Sequence, residues 1–441
     1  MQANLPQLDL PLWLISYGLL AGLILVAYLV IRHRNHRQSH ATLNESLQSG
    51  LTEPASLHPV IDPARCLGCG ACVTACPEKK ILGLIGGKAR LVNPSSCIGH
   101  GACKTACPFE AITLVFGTEK RGIDIPAVKP NFETNIPGLF IAGELGGMGL
   151  IRNAVRQGSQ AIDAVARLDG IGTKNGLDVV IVGAGPAGIA ASLKAMQHKL
   201  RFITLEQDSL GGTVAHYPRG KIVMTAPVEL PLIGKMQFRE TTKESLMAFW
   251  QSVQQKTGLT INANERVEKI ESQAGGFLTT TSQGTYRSRA ILLAIGRRGT
   301  PRKLGVPGEG SSKVVYRLID PGQYQGQNVL IVGGGDSALE AATSIAAEPA
   351  ARVTISYRSE AFNRAKPKNR DKVLAAVAAG QIQVFLQSTV REIRDTSVTL
   401  VQDGRDIEIA NDAVIVSAGG ILPTPFLKSI GIEVETKYGT A

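Results

Sequence analysis

The sequence predicts an α/β protein: two βαβ units built on glycine-rich turns, a small cysteine-bearing α+β module ahead of them, and one apolar helix near the N-terminus. Three observations carry this. The pattern G-x-G-x-x-[GA] occurs twice, from Gly183 and from Gly333, each time directly after a run of strand formers. All seven cysteines lie between Cys66 and Cys107. Twenty residues from Leu12 to Ile31 carry no charge. Composition is compatible: 44% hydrophobic and 19% charged residues exclude a disordered, a collagen-like or a polytopic membrane chain. The 48 glycines are an excess of the kind that tight, backbone-exposing turns produce. A length of 441 residues suggests about three domains.

The apolar run spans about 30 Å as a helix, the hydrocarbon thickness of a bilayer. No Lys or Arg precedes it and Arg-His-Arg-Asn-His-Arg follows from Arg32, the reverse of a signal peptide's charge order. Residues 12–31 therefore read as a single-pass transmembrane anchor in the inner membrane, bound to lipid, with the N-terminus outside and the remainder cytoplasmic. Trp13 and Tyr28 suit its interfaces. Residues 32–59, rich in Ser, Gln, Asn and His and lacking apolar periodicity, read as a flexible tether. His33, His36, His40 and His58 there read as solvated rather than metal-binding side chains. In residues 1–60 Arg32, Arg34 and Arg37 balance Asp9, Glu45 and Glu53, so the net charge of +11 belongs to the rest of the chain.

Cysteine clustering excludes a disulfide framework spread over a secreted fold and points to a metal centre in a reducing compartment. Cys66, Cys69, Cys72 and Cys76, with Pro77, follow C-x2-C-x2-C-x3-C-P, the spacing that wraps an iron–sulfur cubane. Cys97, His100, Cys103 and Cys107, with Pro108, repeat it with one histidine substitution. Two matched halves argue against zinc. Residues 60–116 thus resemble the bacterial two-cluster ferredoxins. That resemblance implies that Cys66, Cys69, Cys72 and Cys107 hold one [4Fe–4S] cluster, and Cys97, Cys103 and Cys76 the other. His100 is left with three readings: an imidazole ligand that raises the potential, a neighbour of a [3Fe–4S] centre, or a bystander. Between Asp62 and Glu110 six basic residues face three acids, which favours an acidic redox partner.

Asp178 to Val182 leads into Gly183, Gly185 and Gly188, then a helix, then a strand that ends at Glu206. Strand, glycines, helix and acid in register form a strong adenosine-diphosphate fingerprint, with the pyrophosphate at the helix N-terminus and Glu206 on the ribose. Gly333, Gly335 and Ala338 repeat the device after Asn328–Val332. Arg358 ends the following strand and Arg364 lies beyond it, favouring a 2′-phosphate and so NADPH over NADH, with Glu360 as the rival ribose acceptor. Arg297-Arg298 and the run from Arg364 to Arg370 have no groove-reading context, so they read as dinucleotide or partner contacts and imply no nucleic acid.

These motifs resemble the thioredoxin-reductase-like flavoproteins. Gly211-Gly212-Thr213, Ala294-Ile295-Gly296 and Val416-Ser417-Ala418-Gly419 are further points of likeness, and Gly211 to Pro227 is similar to the bacillithiol-disulfide-reductase-like branch. The resemblance implies two Rossmann-like domains: a FAD domain over 117–300, completed by 421–441, and an NAD(P) domain over 301–420. The family's closing segment stands at Thr134-Asn-Ile-Pro-Gly-Leu-Phe-Ile-Ala-Gly-Glu, ahead of the first glycine motif, implying a circular permutation. Gly143, Glu144, Gly212 and Thr213 join the implied FAD contacts, with Glu144 where the family has Asp. His216 and Tyr217 either lie near the flavin or shape a loop. No cysteine follows Cys107, so the family's dithiol route is missing. The expected function is an NAD(P)H-dependent oxidoreductase passing electrons through FAD and two iron–sulfur clusters to a redox partner. Direct reduction of a small disulfide and a non-turnover redox sensor are the alternatives. The direction of flow, and whether the chain forms a homodimer, stay open.

Overall fold

The computed structural model describes residues 12–48, 52–54, 57–147, 149–173, 176–217, 219–238, 240–297, 299–362 and 365–439. The chain divides into two compact units whose boundary in sequence falls between Val115 and Phe116.

The first unit opens with a helix from Leu12 to Gln48. It is long and apolar enough to cross a membrane. Tyr17, Leu19, Leu20, Leu23 and Ile24 to Val26 all stand exposed on it, a band of apolar surface that water does not favour. The expectation of a flexible tether over 32–59 needs correction, because the helix runs on to Gln48. Between Arg32 and Gln48 the sequence has neither Gly nor Pro, and Ser39 returns its hydroxyl to the carbonyl of Asn35 within the helix. A stretch that is polar and non-periodic in apolar residues can still be helical when packing supports it.

The cysteine-bearing module after it is built as two similar halves. His58–Ile61 pairs antiparallel with Ile112–Val115, and Leu82–Ile85 with Lys88–Leu91. Two short helices, Ala71–Ala75 and Ala102–Thr105, each start after a glycine in the left-handed region, Gly70 and Gly101, both at φ 78°. That conformation turns the chain sharply enough to present a cysteine on each side of the bend. A small core of Cys66, Cys72, Cys103, Leu82, Ala89 and Ile112 fills the space between the halves.

In the second unit a sheet runs in the order Val267–Gln273, Gly276–Thr281, Thr285–Leu293, Leu177–Val182, Phe202–Leu205. The last three are parallel, and Leu139–Ile141 adds itself parallel to Ile291–Leu293. Phe140, Val179, Ile181 and Leu292 are fully buried beneath the helices Ile151–Val165 and Pro186–Gln197. The strand near the C-terminus, Val434–Lys437, pairs antiparallel with Ile123–Pro126. Residues 123–165 are thus woven into this layer rather than appended to it. The other sheet is wholly parallel, in the order Val314–Val315, Ala413–Val416, Asn328–Val332, Arg352–Tyr357, Ile382–Leu386. An antiparallel meander, Ser388–Ile393, Ser397–Gln402 and Arg405–Ala410, leans on it. The chain passes between the two layers twice, and the crossings run side by side where Thr300–Pro301 pairs with Gly420–Ile421.

Candidate cofactor sites

Cys66, Cys69, Cys72 and Cys107 line one cavity in the first unit, closed by Ile61, Leu67, Ala89, Phe109 and Ile112. The four thiols surround a void. A cubane, with an iron at each of four corners, suits thiols spread around its periphery. Backbone N–H groups are aimed at two of the sulfurs: Ala89 at Cys66 Sγ and Ala111 at Cys107 Sγ, both 3.4 Å. Such donors stabilise charge on thiolates and tune cluster potential. Burial, then the neighbouring Cys66, pushes the Cys72 thiol up to about 11. Metal must therefore displace a proton that the apo site holds tightly.

Cys76, Cys97 and Cys103 form the complementary group. Burial raises all three, and Cys76 and Cys103 each add to the rise at Cys97. His100 is half-buried on the turn between Cys97 and Cys103. The residues of both groups fit iron–sulfur clusters by donor type and arrangement.

In the second unit Gly143, Glu144, Gly183, Gly185, Glu206, Gly212, Thr213, His216 and Tyr217 all line one cavity of about 580 Å³. Gly188 stays outside the lining. It sits one turn into the helix Pro186–Gln197, where a Cβ would lie 1.8 Å from the Gly183 carbonyl oxygen, so it lets helix and turn close together. The helix N-terminus opens into this cavity through Gly185, Pro186 and Ala187, as a pyrophosphate requires. At the far end of Phe202–Leu205 the buried Glu206 carboxylate accepts the N–H groups of Ala184, 2.8 Å, and Asp208, 2.9 Å. Both bonds orient it while leaving lone pairs for ribose hydroxyls. These features fit FAD.

A second cavity, of about 610 Å³, gathers Gly333, Gly335, Ala338 and Arg358 at the N-terminus of the helix Asp336–Ala346. Arg302, Lys303 and Arg317 join Arg358 there, a cationic lining suited to a phosphorylated nucleotide. Glu360 does not line it. Arg364 lies outside the described residues.

Sequence reasoning missed the residues that join these cavities. Gly299 and Arg317 line both. The Arg317 guanidinium stands 3.8 Å from Asp208 Oδ2, and His216 Nε2 is 3.2 Å from the same oxygen. Lys221 pairs with Glu340 at 2.5 Å, tying one nucleotide layer to the other. Arg297, expected from the sequence to contact a dinucleotide or a partner, is instead held within the fold, its guanidinium donating to the Asp124 carbonyl oxygen at 2.8 Å. Burial drives its guanidinium below the ordinary range, opposed by Glu144 and Asp124. None of these pairs has a sequence signature, because each meets only through the fold.

Comparison with known proteins agrees with this geometry. Residues 58–108 match the 4Fe-4S dicluster domain. The ferredoxin–NADP reductase of Ignicoccus hospitalis is 30% identical over 268 residues, 59% of this chain and 83% of that protein. Bacilliredoxin reductase Bdr of Bacillus subtilis is 27% identical over 267 residues, 59% of this chain and 82% of its own. Among solved structures, bacillithiol disulfide reductase of Bacillus cereus aligns with a TM-score of 0.51 at 26% identity, covering 58% of this chain and 82% of that one. Residues 180–440 match the pyridine nucleotide-disulphide oxidoreductase family, and with two nucleotide cavities and a cysteine-lined module in place, the chain belongs to that family and carries a 4Fe-4S dicluster domain ahead of it.

Proposed function

We propose that this enzyme exchanges electrons between NAD(P)H and a redox partner by way of FAD and two iron–sulfur clusters. The observation that carries the reading is the common wall of the two nucleotide cavities at Gly299 and Arg317. When bound, FAD takes a two-electron hydride and the clusters move electrons singly. The chain's residues have the positioning roles. The N-terminus of Pro186–Gln197 holds the FAD pyrophosphate, Glu206 its ribose, and Gly143 and Glu144 the ribityl side. Gly333, Gly335 and Ala338 admit the nicotinamide dinucleotide, with Arg358 set for a 2′-phosphate. Cys66, Cys69, Cys72 and Cys107 hold one cluster; Cys97, Cys103 and Cys76, with His100, hold the other.

Two further parts of the reading rest on the fold. The segment 117–168 is the family's closing segment moved to the front by circular permutation. The pairing of Ile123–Pro126 with Val434–Lys437 supports it, as does the Leu139–Ile141 strand beside Ile291–Leu293. The helix from Leu12 anchors the enzyme in the inner membrane with its domains cytoplasmic. Its exposed apolar band supports that. The partner is an acidic redox protein or a membrane carrier, and no nucleic acid is bound.

A second reading has a small disulfide reduced directly at the flavin, favoured by His216 and Tyr217 in the FAD cavity. Anaerobic stopped-flow separates the two. Cluster bleaching after NAD(P)H at least as fast as turnover supports the relay, and bleaching slower than disulfide turnover supports the second reading. EPR of the oxidised and reduced protein beside His100→Cys types the second cluster: a three-iron signal in the oxidised wild type places His100 off the iron, and a four-iron signal whose shape shifts on substitution places the imidazole on it.

A further inference from the structure

The helix that begins at Leu12 does not separate from the dicluster module once the apolar run ends. His36, Ser39, Thr42 and Leu43 are half-buried and Ser46 is buried, while Arg34, Arg37, Gln38, Ala41, Asn44 and Glu45 are exposed. The covered positions fall three or four apart, one face of the helix. Three contacts seat that face on the hairpin Leu82–Leu91 and the residue after it. The Gly86 N–H points at His36 Nε2, 3.4 Å. The Ser46 hydroxyl donates to the Val92 carbonyl at 2.9 Å in a buried setting. Between them Gly83 and Ser39 approach so closely that a Cβ on Gly83 would lie 2.4 Å from Ser39 Oγ. Small side chains on the helix and a glycine in the strand thus allow backbone-level contact, which short polar side chains then fasten.

We infer that residues 36–46 are a docking seam that makes the anchor helix and the dicluster domain one rigid body, holding the clusters at a fixed, short height above the lipid headgroups. The inference rests on the membrane reading of residues 12–31. At 1.5 Å per residue, Ser39 stands about 12 Å and Ser46 about 22 Å beyond Ile31 along the helix. A docked domain therefore lies against the surface, whereas a flexible tether of the same length would let it wander. Arg34 and Arg37, exposed beside the seam, face outward where anionic headgroups attract them.

The test uses the full-length, cluster-loaded protein in vesicles containing a headgroup-spin-labelled lipid. Reduced, paramagnetic clusters held near the surface speed the relaxation of the label. Two variants release the domain differently. Ser39→Leu wedges the seam open, and a ten-residue Gly/Ser insertion after Arg34 leaves the seam intact but uncouples it from the membrane helix. Neither touches a cofactor site, so iron content and NAD(P)H-driven reduction of a soluble dye report proper folding. The expected result is relaxation enhancement in the wild type that falls at least several-fold in the insertion variant and in Ser39→Leu. Equal enhancement in wild type and insertion variant, or none in a wild type that stays membrane-bound through carbonate washing, overturns the seam while anchoring stands. Wild-type protein released by carbonate overturns the anchoring, and the seam's role with it.

Discussion

The Lys88 ammonium donates a hydrogen bond to the carbonyl oxygen of Cys66 at 2.6 Å, placing a half-buried cation against the backbone of a thiol that lines the cluster cavity. On the other half of the module the Cys97 thiol donates to the Leu57 carbonyl oxygen at 3.9 Å. A positive charge favours the reduced, more negative form of a neighbouring cluster. Lys88→Met should lower the midpoint potential of one cluster by on the order of 59 mV, a tenfold change in a one-electron equilibrium, and leave the other in place. A redox titration followed by EPR reads the two separately.

Gly158 lies on the helix Ile151–Val165, where a Cβ would fall 2.1 Å from the Ala187 carbonyl oxygen at the start of Pro186–Gln197. Backbone cannot retreat as a flexible side chain can. Gly158→Val should cost about 1–3 kcal/mol through overpacking. It should also loosen the helix whose N-terminus opens on the 580 Å³ cavity. Lower flavin content per polypeptide and a reduced Tm are the measurements.

Asp178 fastens the start of the strand Leu177–Val182 to its surroundings. Its carboxylate accepts the N–H groups of Gly172, 2.7 Å, and Arg201, 2.8 Å, and pairs with the Arg201 guanidinium at 3.1 Å. Burial works against ionisation here, but the hydrogen bonds from Arg201 and Gly172 prevail and hold the carboxyl below its ordinary value. A carboxyl depressed in the folded state adds stability above the unfolded pKa, near 3.9, and loses it as pH falls through the folded value. Asp178→Asn should therefore cost about 2–3 kcal/mol at pH 7. Its deficit against the wild type should shrink below about pH 4. Denaturant unfolding at pH 7 and at pH 3.5 checks both.

Arg358 lines the nucleotide cavity beside Arg302 and Lys303. If it receives a 2′-phosphate, Arg358→Ala removes a charge-assisted bond worth about 1.5–3 kcal/mol. The KM for NADPH should then rise about tenfold or more while that for NADH moves little. Equal changes for both would assign the 2′-phosphate elsewhere.

Much of this was legible in the residues because the chemistry demands particular types at particular spacings. Cys66, Cys69, Cys72 and Cys107 line a common void although 34 residues separate the third from the fourth. Gly183, Gly185 and Glu206 reach one cavity because a βαβ unit leaves few ways to connect them. The helical stretch after Arg32 was illegible for the opposite reason. Its covered face is His36, Ser39, Thr42, Leu43 and Ser46, with one apolar residue among five, so no apolar period announces it, and only the hairpin opposite gives those residues something to pack on.

The sequence by itself determined the cofactor chemistry: thiolate spacing, glycine turns and strand-end charges are local patterns, and local patterns survive in a linear string. Tertiary structure alone decided what those sites share. Arg317 bordering both nucleotide cavities, Val434–Lys437 paired with Ile123–Pro126, and Ser46 bonded to Val92 each join residues distant in the chain. Contacts of that kind arise from packing, whose partners are chosen by shape and burial after the chain has folded rather than by neighbours in sequence.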